Sequence, residues 1–98
     1  MVKLNLEQVH KLKVGDMVAY RERSGELAHY LYKAKVTGIY PNFVLLSCAA
    51  TKNPLIEYED AERYFTTSFA YTDCCEFGGY MLYDYESALD DFYNFGLE

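Results

Sequence analysis

The most regular pattern in the chain runs through residues 27–40, where apolar and polar positions alternate. Lys33, Lys35 and Thr37 occupy odd positions, while the even positions are mainly apolar. Because successive side chains of a strand point to opposite faces, this period of two predicts a long strand with its even positions turned inward. A glycine within a strand often marks a bulge or a bend, so we expect one at Gly38. The even positions are Ala28, Tyr30, Tyr32, Ala34, Val36, Gly38 and Tyr40.

Turn-forming residues separate this strand from four others. Pro41 and Asn42 predict a tight turn between the long strand and the next one, and residues 13–16 and 24–26 predict turns on either side of the first strand. Residues 64–71 are rich in aromatic and hydroxyl side chains, which suit a strand, and a last strand follows the glycine pair at 78 and 79. The four further strands are predicted over residues 17–23, 43–49, 64–71 and 80–83.

A short helix is predicted at the N-terminus and a longer one at the C-terminus. Asn5 can cap a helix over residues 6–12, and Gln8 stands three positions later, as a capping box requires. Asp84 can cap a helix that continues to residue 95, where Gly96 would end it. The apolar stripe of the second helix comprises Tyr85, Ala88, Leu89, Phe92 and Phe95, which leaves Glu86, Asp90 and Asp91 facing outward.

A further helical turn is predicted over residues 55–63. Glu59 and Arg63 are four residues apart there, the spacing at which opposite charges pair on a helix. The whole pattern predicts a mainly β, α+β fold in which about five antiparallel strands form a small barrel or a curled sheet. With 98 residues and no repeat or linker, the chain is expected to form a single domain over residues 1–98.

Charge is distributed unevenly between the two halves of the chain. Residues 1–50 contain seven basic and four acidic residues, and residues 51–98 contain two basic and eleven acidic residues, so the local net charges are +3 and −9. No basic residue follows Arg63, whereas eleven aromatic residues do. One interpretation is a solvated acidic surface that maintains solubility.

The other interpretation is a docking surface for a basic protein. Tyrosine is enriched at protein interfaces, and a concentrated negative field accelerates encounter with positively charged partners. Direct binding of this half to nucleic acid is disfavoured because carboxylates repel phosphates. The partner is therefore expected to be a basic protein surface, including that of a nucleic-acid-processing enzyme. The candidate partner-binding residues are Glu57, Glu59, Asp60, Glu62, Asp84, Tyr85, Glu86, Asp90, Asp91 and Tyr93.

The first half of the chain resembles the opening of SH3-like small β-barrels. Residues 12–20 read LKVGDMVAY, and a hairpin and the segment KVTGIY at residues 35–40 follow, so the resemblance covers residues 12–49. Such barrels commonly bind peptides or nucleic acids. The resemblance thus implies an alternative function, in which basic strands bind nucleic acid or an acidic peptide. The basic residues concerned are Lys11, Lys13, Arg21, Arg23, Lys33 and Lys35.

In size, acidity and lack of a catalytic signature the chain is similar in character to small inhibitor proteins of phages and mobile elements. These include anti-CRISPR, anti-restriction and toxin-immunity proteins, whose acidic surfaces commonly occupy the basic channel of an enzyme. The resemblance implies a non-enzymatic inhibitor or adaptor. The chain has no apolar run long enough to cross a membrane and no secretory signal, so a cytoplasmic location, in the producer or a host, is expected.

An enzymatic role is the third hypothesis. A cysteine hydrolase would need Cys74 or Cys75 beside His10 or His29, the available pairs of thiol and imidazole. Cys48, in an apolar strand, is better explained as a small core residue. The three cysteines are expected to be reduced, and the spacing of cysteines and histidines does not suit zinc, so we expect no metal, no cofactor and no catalytic residues.

Overall fold

The structure is a computed structural model that describes residues 3–22, 31–51, 56–74 and 80–95. It confirms a mainly β, α+β fold with two short helices and five strands in one antiparallel sheet. The elements are α1 (Leu6–His10), β1 (Met17–Glu22), β2 (Leu31–Ile39), β3 (Phe43–Ala49), β4 (Tyr64–Ala70), β5 (Tyr80–Asp84) and α2 (Tyr85–Phe95), with 3-10 helices at Tyr58–Asp60 and Tyr71–Cys74.

The predicted boundaries differ from these at several ends. The N-terminal helix stops at His10, two residues short of its predicted end, and the fourth strand gives way to a 3-10 helix at Tyr71. The predicted strand residues 23 and 27–30 and the helix stop at Gly96 lie outside the described residues. Each predicted strand is otherwise present, since the alternation and the turn residues that predict it are local properties of the chain.

The five strands follow one another in a meander with the last strand returning to the first. Their order across the sheet is β4-β3-β2-β1-β5, with every neighbouring pair antiparallel. Within the described residues β4 and β5 are the two edges and do not pair with each other, so the sheet is open and not a closed barrel. The 3-10 helix Tyr71–Cys74 contacts both β5 and α1.

One face of the sheet, here called the core face, carries the main hydrophobic cluster. Tyr32, Ala34 and Val36 of β2 are buried there, as the even positions of the alternation predict. The register of β2 against β3 shifts between Val36 and Gly38, which confirms the bulge expected at Gly38. The other members of this cluster are Leu4, Val9, Val18, Tyr20, Val44, Leu46, Cys48, Phe69 and Leu82.

Helix α1 covers part of the core face through Val9, which is 1% exposed. Its first turn is closed by a capping box. The Asn5 side chain accepts a hydrogen bond from the Gln8 backbone N–H at 2.8 Å, and the Gln8 side chain accepts one from the Asn5 backbone N–H at 2.9 Å. This reciprocal arrangement is the one predicted from the sequence, and it satisfies two backbone donors that an uncapped helix would leave unpaired.

The opposite face of the sheet, here called the lysine face, carries Lys33 and Lys35 of β2. Helix α2 packs on this face at the β1–β5 side, where Ala88 forms a second buried cluster with Ala19, Leu31 and Tyr83. The helix begins at a cap in which Asp84 Oδ2 accepts a hydrogen bond from the Ser87 backbone N–H at 3.0 Å. Asp84 therefore caps this helix as predicted.

Within the described part of the chain, the helices are all too short to span a bilayer.

Candidate functional site

Residues 56–63, here called the crossing segment, lie across the lysine face and carry half of the candidate carboxylates. The segment is anchored by Lys33, whose Nζ donates a hydrogen bond to the Ile56 carbonyl oxygen at 3.0 Å. Lys33 is 7% exposed, although its odd position in β2 favoured a solvent-facing side chain. A buried ammonium group needs hydrogen-bond acceptors to offset its lost hydration, and the crossing segment supplies one.

The neighbouring Lys35 also faces this segment. Its Nζ lies 4.0 Å from Glu59 Oε1 and 4.9 Å from the centre of the Tyr58 ring. The predicted pairing of Glu59 with Arg63 is wrong: it assumed a continuous helix, and the structure has a 3-10 helix that ends at Asp60. Four residues along a 3-10 helix and an extended stretch do not bring the two side chains to one face, so Glu59 is left to approach Lys35.

Tyr58 and Tyr64 fix the 3-10 helix to the start of β4. The Tyr64 hydroxyl donates a hydrogen bond to the Tyr58 carbonyl oxygen at 2.6 Å, and the two ring centres are 5.1 Å apart. Tyr58 is buried, whereas Tyr64 is 44% exposed. From the sequence, Tyr64 is expected only as one of the rings of the acidic half, and Tyr58 has no expected role. The signal that could have singled out the pair is two tyrosines flanking a short acidic stretch.

With Lys33, Tyr58 and Tyr64 holding the backbone, the acidic side chains of the segment turn outward. Each of them is exposed to solvent, including the one near Lys35. An exposed ion pair such as that of Glu59 and Lys35 is screened by water and salt, so it leaves most of the negative potential of the segment in place. These carboxylates belong to Glu57, Glu59, Asp60 and Glu62.

Helix α2 supplies the second group of candidate carboxylates. Glu86 and Asp90 are exposed and stand four residues apart, so they share one stripe of the helix. Asp84 is exposed as well, but one of its oxygens is engaged in the helix cap. The ion pairs found among the described residues do not include any of these three. The side chains of Asp91 and Tyr93 lie outside the described part of the structure.

The carboxylates of the crossing segment and those of Glu86 and Asp90 lie over the same face of the sheet, whereas Asp84 stands opposite Val18 of the core face. Leu31, Lys33 and Lys35 alternate with the core-facing residues of β2 and therefore share the lysine face. Helix α2 packs at Leu31, and the crossing segment packs at Lys33 and Lys35. Four strand residues span about 13 Å, a length that one docked protein surface can cover. A bound protein that covers this face can therefore contact both groups.

The aromatic side chains contribute less to this face than the composition suggested. Among the described rings of the second half, Tyr58, Phe69 and Tyr83 are buried, and Phe65, Tyr71 and Tyr85 are partly buried. Tyr85 packs against the cluster beneath α2 and is half-buried there. Tyr64 is the ring of this half that stands out among the described residues by its exposure. The site is thus defined chiefly by its carboxylates.

The basic residues of the alternative hypothesis do not form a shared exposed patch in the described structure. Lys33 is buried, and Lys35 lies beneath the crossing segment. Lys11, the C-cap residue of α1, pairs with Glu7 at 3.3 Å, and Arg21 is partly buried with interactions of its own. Lys13 is exposed, and Arg23 lies outside the described residues.

The described thiol and imidazole are engaged elsewhere. Cys48 is 0% exposed in the core, as the sequence predicted, and burial raises the pKa of its thiol to about 12. The His10 ring packs against the Tyr71 ring at a tilt of 37°, with ring centres 4.2 Å apart. The side chains of Cys74 and Cys75 and the whole of His29 lie outside the described part. Within that part, three or more potential metal ligands do not come together at any point.

No family model matches the chain, and no curated protein matches it.

Proposed function

We propose that this protein is a non-enzymatic protein-binding module. Its lysine face, which is covered by exposed carboxylates, docks onto a basic surface of a partner protein. The observation that carries the proposal is that two sets of carboxylates lie over the same face of the sheet. One set is on the crossing segment and the other is on α2. A solubilising surface has no need of such placement, because scattered charges maintain solubility equally well.

Electrostatics favours a protein partner over nucleic acid at this face. Glu57, Asp60 and Glu62 on one side and Glu86 and Asp90 on the other are exposed. Their combined field would repel phosphates and attract surfaces rich in lysine and arginine. Complementary fields of this kind raise the association rate and are weakened by salt.

The partner class that fits best is a protein whose own ligand is a nucleic acid. Such proteins present basic grooves for the phosphate backbone, and an acidic face can occupy the groove in place of the nucleic acid. The similarity in character to small phage and mobile-element inhibitors, and a cytoplasmic location, belong to this proposal. The SH3-like resemblance of residues 12–49 also belongs to this proposal, and the open strand order β4-β3-β2-β1-β5 is compatible with it.

The binding mode through basic strands is less well supported. It needs accessible lysines on β2, but Lys33 is buried and its Nζ is bonded to Ile56. Lys35 faces Glu59 and the Tyr58 ring. We therefore do not propose it as a second function.

The experiment that tests the proposal compares binding by matched variants. The tagged full-length chain is used to capture proteins from producer and host extracts, and the captured partner is purified so that its affinity can be measured directly. Glu86→Gln with Asp90→Asn removes two charges from α2 with little change in shape. We expect this double variant to bind about tenfold more weakly, a loss of about 1.4 kcal/mol.

Glu7→Gln is the matched control because Glu7 is also an exposed helical glutamate, but it lies on α1, which packs against the core face. We expect its affinity to equal that of the original chain. Equal losses in the control and the α2 variant would indicate a diffuse charge effect and would contradict the proposal. A captured partner that is acidic, or whose affinity is insensitive to salt, would also contradict it.

A further inference from the structure

In the part of the chain that the structure describes, strand β4 is an edge of the sheet without the usual protection against pairing. Its sequence, YFTTSFA over Tyr64–Ala70, contains no charged residue and no proline. It pairs with β3 in an unbroken register from Ala49 opposite Tyr64 to Phe43 opposite Ala70, without a bulge. Edge strands are commonly protected by lysine, proline or a bulge, because their unpaired backbone groups otherwise recruit another strand.

The hydrogen bonds at both ends of β4 show which backbone groups face away from β3. The Ala50 N–H donates to the Arg63 carbonyl oxygen at 2.9 Å, and the Tyr71 N–H donates to the Asn42 carbonyl oxygen at 3.1 Å. Because bonded pairs alternate along an antiparallel ladder, the odd positions between 63 and 71 bond to β3. The backbone groups that point outward are those of Tyr64, Thr66, Ser68 and Ala70.

The other edge of the sheet is treated differently. Beside β5, Lys3 forms a bridge with Tyr83, and the Leu4 N–H donates a hydrogen bond to the Leu82 carbonyl oxygen at 2.9 Å. Within residues 3–22, 31–51, 56–74 and 80–95, no segment pairs with the outer edge of β4. Among these residues, one edge is thus partly covered by the chain itself, and the other presents its backbone.

We propose that β4 pairs with β4 of a second copy of this chain, antiparallel and about a two-fold axis at Thr67, to form a continuous ten-stranded sheet. A closed two-fold contact of this kind requires a strand that is complementary to itself. Four outward-facing residues on each copy would exchange backbone hydrogen bonds.

The side chains of β4 meet their symmetry mates without conflict. In this register Tyr64 lies opposite Ala70 of the other copy, and Thr66 lies opposite Ser68. Each pair joins a larger side chain to a smaller one on the lysine face. On the core face Phe65 lies opposite Phe69, and aromatic cross-strand pairs stabilise sheets.

The charges around β4 are also compatible with a second copy, although each chain carries a net charge of −6. The crossing segment precedes Tyr64, so antiparallel pairing places the crossing segments of the two copies at opposite ends of the new ladder. Six strand steps separate these ends by about 20 Å, well beyond the Debye length of about 8 Å at physiological salt. Arg63 of one copy lies beside the C-terminal end of β4 of the other copy, where the 3-10 helix that contains Asp73 begins.

The two-fold axis of such a pair is perpendicular to the sheet, so both lysine faces would lie on the same side. Pairing through β4 does not depend on the docking function proposed above, since it uses the backbone of an uncharged strand.

The test measures the association state of the full-length chain by sedimentation as a function of concentration. Thr66→Lys with Ser68→Lys places lysines opposite one another across the proposed contact, and we expect this variant to be monomeric where the original chain is dimeric. Thr37→Lys is the control, because Thr37 is exposed on the interior strand β2 and should leave the dimer intact. Circular dichroism verifies that each variant is folded.

A second pair of substitutions identifies the occupant of the edge. Thr66→Glu with Ser68→Glu should also give monomers, but mixing it with the lysine variant should give a one-to-one heterodimer. An original chain that stays monomeric to about 1 mM, which corresponds to about 4 kcal/mol of association free energy, would overturn the proposal. A dimer that persists in the lysine variant, or a mixture that does not associate, would overturn it as well.

Discussion

The Nζ atom of Lys33 and the carbonyl oxygen of Ile56 are 3.0 Å apart, and this contact fixes the crossing segment to the lysine face. Lys33 is in the middle of β2 with its neighbours Tyr32 and Ala34 in the core, so its position is set by the sheet. The contact links a rigid strand to a segment that has no sheet partner until β4. Removing it should therefore affect both stability and the presentation of the carboxylates.

Replacing Lys33 by methionine tests this link. Lys33→Met keeps most of the side-chain stem but leaves the Ile56 carbonyl without its donor, so we expect a loss of about 1 to 3 kcal/mol in the free energy of unfolding. Lys35→Met is the control, since Lys35 is more exposed and its ion pair is screened. Denaturant titration of both variants measures the difference, and equal losses would show that Lys33 is not the anchor.

The Cys48 thiol should be unreactive in the native protein. Burial in the core raises its pKa to about 12, so almost no thiolate is present at pH 8. In a chain carrying Cys74→Ser and Cys75→Ser, we expect a thiol reagent to label Cys48 at the rate of global unfolding and at once in denaturant. Rapid labelling of the folded chain would contradict the buried position.

The same pKa predicts how stability depends on pH. The pKa is about 12 in the folded state and near the ordinary value of 9.0 in the unfolded state. The unfolded chain therefore loses the proton first, and the stabilising contribution is full below pH 9. It should fall by about 1.4 kcal/mol per pH unit as the pH rises from 9 towards 12. Comparison with Cys48→Ala isolates this component from the titration of tyrosines and lysines, and identical slopes would refute it.

Asp84 should matter to stability through its cap. Asp84→Ala removes the acceptor of the Ser87 N–H and should cost about 1 kcal/mol, whereas asparagine is nearly as good a cap and should cost a few tenths. Thermal unfolding of the two variants measures this. If Asp84→Asn weakens partner binding while stability is kept, the carboxylate charge has a separate role in docking. Similar losses of stability in both variants would mean that the cap contributes little.

Much of the fold could be predicted from local sequence. The alternation along β2 correctly placed Tyr32, Ala34 and Val36 in the core, and the spacing of Asn5 and Gln8 gave the capping box. These features depend on residues within a few positions of one another, so the sequence carries them directly. The order of the strands and the open edge at β4 depend on pairing between distant segments, and no local pattern specifies them.

The candidate site was harder to predict for the same reason. An odd position in β2 suggested an exposed Lys33, because the alternation does not indicate which segment covers the second face. The pairing assumed for Glu59 required a helix, and the 3-10 helix at Tyr58–Asp60 directs Glu59 towards Lys35 instead. The acidic residues themselves could be read from composition, but their placement over one face required the fold.

Asp90 offers a substitution whose effects on stability and binding should have opposite signs. Glu86 and Asp90 are like charges four residues apart on α2, which weakens a helix. Asp90→Lys converts this repulsion into an attraction. The free energy of unfolding should therefore rise by a few tenths of a kcal/mol, and at most by about twice the contribution of a single such pair. The same change should weaken partner binding. A variant that is more stable and binds equally well would argue for a merely solvated surface.

The docking face is tested most sharply by the affinity of the purified partner for a variant with reduced charge in both acidic groups. This variant carries Glu57→Gln, Asp60→Asn, Glu86→Gln and Asp90→Asn, and binding is measured by titration calorimetry at low and at high salt. We expect a large loss of affinity at low salt, a much weaker salt dependence than that of the original chain, and no effect of Glu7→Gln. An affinity that equals that of the original chain at both salt concentrations would contradict it.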